Sequence, residues 1–188
     1  MTGTIFAAVA SFAATNLDDL MLLTLLFGVA TDRREQRHIL LGQGLGIAAL
    51  FALSVFASGV LRLLPDWTAR LLGLVPLALG VRAIFANTGD RKPGISGVPL
   101  NVLPIALLTI SDGGDNLGVY IPLFRGMGRM ELAVTAAIYA ALVIAYCGIA
   151  RSIASLPGIR TGIHRAQKWL VPAVFLGLGI MIICRSHT

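Results

Sequence analysis

Residues 5–29 read IFAAVASFAATNLDDLMLLTLLFGV. A helix needs roughly 20 residues to cross the hydrocarbon layer of a bilayer, and this stretch is long enough. No Lys or Arg precedes it, and Asp18 and Asp19 lie inside it, so it reads as a retained helix rather than a removable signal sequence. Five further apolar stretches follow: Ile39 to Leu64, Ala69 to Asn87, Leu100 to Phe124, Glu131 to Ser152 and Ala166 to Cys184. The expected fold class is an all-α membrane protein with six transmembrane helices, forming a single transmembrane domain over residues 1–188.

Composition agrees with this reading. The 188 residues are 56% hydrophobic and 13% charged, with a mean hydropathy of +0.84. Soluble domains average about 45–50% apolar and about 25% charged residues, which excludes a water-soluble enzyme. Cys147 and Cys184 fall in different apolar stretches with no CxxC spacing, and read as lipid-facing or packing residues. His38, His164 and His187 lie in loops or the tail and read as solvated.

The net charge of +6 does not point to nucleic acid, because the 15 basic residues are scattered over loops and form no basic helix face. Sorted by side of the membrane, ten of them fall in loops one, three and five. Five fall with the termini and loops two and four: Arg62, Arg70, Arg125, Arg129 and Arg185. By the positive-inside rule the ten mark the cytoplasmic side, with both termini outside. Arg62, Arg82 and Arg151 read as snorkelling side chains near helix ends. Asp32 with Glu35 reads as a helix N-cap before the second stretch, and Glu131 as a favourable charge at the start of the fifth.

Sliding the sequence against itself by 96 residues places Thr15-Asn16 on Ser111-Asp112, Asp19 on Asp115, and Leu74-Val75-Pro76 on Leu170-Val171-Pro172. This suggests a repeat, one copy over about residues 1–92 and the other over about 97–188, joined by the polar run Asn87 to Pro99. Three spans per copy is an odd number, so the second copy enters the membrane from the opposite side. Two inverted three-helix repeats form a transporter architecture, with the substrate near the midplane where discontinuous helices meet.

Of nine acidic residues, Asp32, Glu35, Asp66, Asp90 and Glu131 lie in loops or at helix ends. Asp18, Asp19, Asp112 and Asp115 lie near the middle of the first and fourth stretches. A carboxylate at that depth costs about 2.5–3.5 kcal/mol on insertion scales and faces a cavity or a partner. No Lys, Arg or His occurs in the central part of any stretch, so the positive charge has to come from protons or a bound cation. Asn16 and Asp19 are three residues apart, as are Asp112 and Asp115, which is expected to put each pair on one helical face. With Asn116 beside the second pair, the set Asn16, Asp18, Asp19, Asp112, Asp115 and Asn116 is expected to converge on an oxygen-rich pocket suited to a divalent cation. Gly113-Gly114 reads either as an unwound turn offering carbonyls or as a close packing contact. Gly42, Gly44 and Gly46 read as packing. Pro76 and Pro172 are expected to kink the third and sixth helices.

The stretches Ala14-Thr-Asn-Leu-Asp-Asp-Leu20 and Ser111-Asp-Gly-Gly-Asp-Asn-Leu-Gly-Val-Tyr120 resemble the paired motifs of the cadmium resistance transporter family, within the lysine exporter superfamily. Gln43-Gly44 with Gly46, and Leu72-Gly-Leu-Val-Pro76, are similar too, so the resemblance runs over nearly the whole chain. It implies a multi-pass permease of the bacterial inner membrane that exports Cd²⁺ or a related divalent ion such as Zn²⁺ or Mn²⁺. It also implies that the same six residues form the metal site. The expected partners are the divalent ion as substrate, protons as counter-ion and the lipid bilayer. A homo-oligomer is compatible with the sequence. No cofactor is expected, and with no Walker-type phosphate loop an ion gradient is the expected driving force.

The sequence also bears on two other classes. An intramembrane aspartyl protease carries Gly-x-Gly-Asp, whereas Asp112 stands two residues before Gly114 here, so the chain is not expected to be an enzyme. Export of a cationic amino acid is the alternative, since an anionic pocket accepts an ammonium group. Four carboxylates would over-neutralise such a substrate, and no site for its α-carboxylate is apparent.

Overall fold

The computed structural model describes residues 2–63, 74–79, 81, 99–155, 176, 177 and 180. Among these there is no strand. The helices are α1 (Thr2–Thr15), α2 (Leu17–Val29), α3 (Arg33–Leu61), α4 (Val102–Asp112), α5 (Gly114–Arg125) and α6 (Arg129–Ala154). Residues 74–79 are also helical. By length and apolar composition α3 and α6 can each cross a membrane, and α1 with α2 makes a third crossing if the pair is one span. Most of the expected third and sixth stretches and of the Asn87–Pro99 connection lies outside the described residues, as do Asp66, Asp90, His164, Pro172, Cys184 and His187.

The first and fourth stretches are not the continuous helices that the same-face argument assumed. The first is broken at Asn16 and bent by 57°. Asn16 adopts φ −113°, ψ 16°, and its side-chain amide donates to the Phe12 carbonyl at 2.9 Å. Such local side-chain bonds compete with regular helix, so Asn favours caps over helix interiors. The fourth is broken at Gly113, which ends α4 and precedes α5.

Both ends of the bundle are tied by specific bonds. At one end Thr4 donates to Glu131 at 2.9 Å, and the other Glu131 oxygen accepts the Gly128 N–H at 2.9 Å, closing the first turn of α6 as its charge suggested. At that same end Arg62 is not simply snorkelling. Its guanidinium donates to the carbonyls of Phe124, Arg125 and Met127, and Arg125 donates in return to the Leu61 carbonyl at 3.1 Å. Each cation thus serves carbonyls at the end of the other helix, where the helix dipole favours positive charge. At the opposite end His38 is half-buried and bonded through Nδ1 to the Leu100 carbonyl at 2.9 Å, a contact that the solvated reading did not anticipate. Asp32 caps α3 as expected, accepting the Glu35 N–H at 2.7 Å.

Between these ends α3 packs closely on α4. A Cβ on Gly42 would come within 2.7 Å of the Ile105 Cβ, and one on Gly46 within 2.6 Å of the Thr109 Cβ. Both contacts repeat every fourth residue on each helix, the small-residue seam by which membrane helices approach without a hydrophobic driving force between them. An aromatic cluster fills the space between α1, α3, α5 and α6, with Phe12–Tyr139 and Tyr120–Tyr139 centroids 5.2 Å and 5.0 Å apart.

Candidate metal site

Asn16 sits at the first break, 1% exposed, and Asn116 lies in the first turn of α5, 2% exposed. The Asn16 amide nitrogen is 3.3 Å from the Asn116 Oδ1 and 3.0 Å from the Tyr120 hydroxyl, so the two breaks meet at buried depth. The Asn16 Oδ1 is itself buried and has no hydrogen-bond partner among the described residues. A buried acceptor without a donor loses its hydration for nothing in return, unless a ligand completes it.

Asp19 is 4% exposed and accepts a 2.8 Å bond from the Gln43 Nε2 on α3. Gln43 in turn accepts from the Thr109 hydroxyl on α4 at 2.7 Å. Asp18 and Asp115 are half-buried in the first turns of α2 and α5. Each accepts the N–H of the next residue, Asp19 at 3.1 Å and Asn116 at 2.9 Å. Helix N-termini carry the positive end of the dipole, which favours carboxylates in these places. The carboxylates are within electrostatic range of one another: Asp18 and Asp112 act on Asp19, and Asp18, Asp19 and Asp112 act on Asp115.

The convergence is looser than the sequence suggested. Among the described residues no three His, Cys, Asp or Glu side chains are gathered closely enough to hold a metal ion between them. Asp112 is exposed at the end of α4, before the break, whereas Asp115 follows the break. The spacing of three therefore does not put them on one helical face. Nor is Gly113-Gly114 an unwound turn with open carbonyls. The break is one residue wide, and the Gly113 carbonyl accepts the Leu117 N–H at 3.1 Å. Gly113 is also a packing position, since a Cβ there would run into the Leu50 side chain.

A line of hydroxyls that sequence reasoning did not single out leads away from the break. Tyr120 bonds Thr15 at 2.9 Å, and Tyr139 bonds Ser11 at 2.8 Å, one turn further along α1. Both tyrosines are fully buried. Ser11 and Thr15 are four residues apart, a spacing that puts them on one face of α1, but only the fold shows which tyrosines meet that face.

Helical membrane proteins that carry acids and amides at the breaks of discontinuous spans have the build of transporters. Residues 12–188 match the family model described as Cadmium resistance transporter. The chain belongs to the cadmium resistance transporter family and is a transmembrane transporter. No curated protein and no solved structure matches it.

Proposed function

We propose that this transporter exports Cd²⁺, or Zn²⁺ or Mn²⁺, across the bacterial inner membrane in exchange for protons, through a site made of Asn16, Asp18, Asp19, Asp112, Asp115 and Asn116. The observation that carries this reading is the buried Asn16–Asn116 contact, which joins the two acid-bearing helix breaks, the Asn16 Oδ1 having no donor among the described residues. A divalent cation would offset the mutual repulsion of the four carboxylates, which no basic side chain near them does among the described residues. Oxygen donors of this number suit a divalent ion.

The inverted repeat belongs to the same proposal. Thr15 and Asn16 at the end of α1 meet Tyr120 and Asn116 on α5, while Thr4 at its start meets Glu131 just beyond the end of α5. α1 and α5 thus run antiparallel, as opposite entry of the two copies requires.

Moving a divalent cation out against an inside-negative potential costs about 4.6 kcal/mol at 100 mV, so passive export runs the wrong way. Metal ligands must be deprotonated to bind, so protons and metal compete for the same carboxylates and exchange is built into the site. Purified protein in liposomes tests this. An imposed pH gradient should drive Cd²⁺ in the opposite direction to protons, a protonophore should abolish it, and Cd²⁺ affinity should fall as pH falls. Cd²⁺ accumulation that ignores the proton gradient and follows Na⁺ or K⁺ would reject proton exchange.

A further inference from the structure

Three buried side chains from three helices form an unbroken chain: the Thr109 hydroxyl on α4 donates to the Gln43 Oε1 at 2.7 Å, and the Gln43 Nε2 on α3 donates to the Asp19 Oδ2 at 2.8 Å on α2. Thr109 is 1% and Gln43 3% exposed, so neither bond is shared with solvent. The order matters chemically. A carboxylate only accepts, so the end of the Gln43 amide that faces Asp19 is its NH2, and the amide oxygen left on the far side takes the Thr109 hydroxyl, which also lies 3.2 Å from the Ile105 carbonyl.

We propose that Gln43 is a positioning residue for the transported cation: with Thr109 it holds Asp19 so that one carboxylate oxygen is occupied and the other is presented to the site. This rests on the metal-site reading above and extends it to residues outside the two acidic motifs.

Two features make the arrangement specific rather than a generic buried bond. An amide orients the carboxylate while leaving its full negative charge for the cargo, whereas a Lys or Arg at position 43 would neutralise it and compete with the cation. Asp18, Asp112 and Asp115, which act electrostatically with Asp19, are all like-signed. The close α3–α4 approach also sets the reach. Gly46 lies against Thr109 with no room for a Cβ, which brings the hydroxyl onto the Gln43 amide. Partners that orient a metal ligand in this way typically change metal affinity by 10–100-fold when removed.

The test uses full-length protein in detergent and in liposomes, with Cd²⁺ as the probe. Gln43→Leu should weaken Cd²⁺ binding by about 10–100-fold and raise the KM of transport. Thr109→Val should act in the same direction but less, Thr109→Ser should restore wild-type affinity, and the double variant Gln43→Leu/Thr109→Val should bind no worse than Gln43→Leu alone, because the two act through one chain. A purely architectural role would instead lower the melting temperature of metal-free protein in each variant and leave Kd unchanged, which overturns the proposal. If Gln43→Leu does not fold, the Thr109→Val and Thr109→Ser pair decides the question by the same Kd criterion. Wild-type protein that binds none of Cd²⁺, Zn²⁺ and Mn²⁺ would overturn the metal-site reading itself. Wild-type binding that Gln43→Leu leaves intact would overturn only the role of Gln43.

Discussion

Asp18 and Asp115 occupy the same place relative to their helix breaks: each is the second residue of the helix that follows, and each accepts the backbone N–H of its successor, at 3.1 Å and 2.9 Å. The residue one step further on is Asp19 in the first half and Asn116 in the second, both almost fully buried. The two breaks therefore place an acid at the same helix position, and each carries two carboxylates: Asp18 and Asp19 after the first break, Asp112 before and Asp115 after the second.

This equivalence makes the first prediction. Asp18→Asn and Asp115→Asn should lower Cd²⁺ transport by similar factors, and Asp19→Asn should abolish it. Asp32→Asn should leave transport nearly intact, because Asn retains the capping acceptor. Metal resistance of cells expressing each variant at matched levels is the measurement, and full resistance with Asp115→Asn would contradict the site.

The hydroxyl pairs between α1 and the tyrosines should contribute modestly to stability. Hydrogen bonds between membrane helices average about 0.6 kcal/mol with a maximum near 1.7 kcal/mol. Ser11→Ala and Tyr139→Phe should each cost about that much, and their double variant should show a coupling of the same size. Unfolding of purified protein in mixed micelles reads both.

The α3–α4 seam should tolerate no added side chain. Gly46→Val should destabilise by about 1–3 kcal/mol through overpacking against Thr109. Gly28→Val in α2, where no described residue lies within 4 Å of the added Cβ, is the control and should behave like wild type. Thermal melting of the two variants side by side distinguishes them.

Orientation is the last prediction. From the ten-to-five distribution of basic residues, both termini are expected to face away from the cytoplasm. A tag at Thr188 should react with a membrane-impermeant reagent in intact spheroplasts, and labelling only after lysis would reverse the assignment.

The amino-acid sequence by itself determined the solvent of this protein and singled out the residues of its candidate site. An apolar run of about 20 residues has no stable place in water, and carboxylates inside such runs are too costly to be incidental, so both conclusions follow from composition along the chain. Asp18, Asp19, Asp112 and Asp115 stand out in the sequence for that reason, and the Asp32 cap was legible because it depends only on neighbours in sequence. Tertiary structure decided what depends on distance between helices. That Gln43 holds Asp19, that Tyr120 meets both Thr15 and Asn16, and that Arg62 serves the end of α5 each join residues more than 20 positions apart. Even the register of the proposed repeat depends on geometry. A shift of 96 pairs Asp19 with Asp115, but the chain breaks at Asn16 and at Gly113, and this pairs Asp18 with Asp115 instead. Which residue leaves the helix is settled by local backbone bonding and by what packs against it, Phe12 for Asn16 and Leu50 for Gly113, and a count of identical letters carries neither.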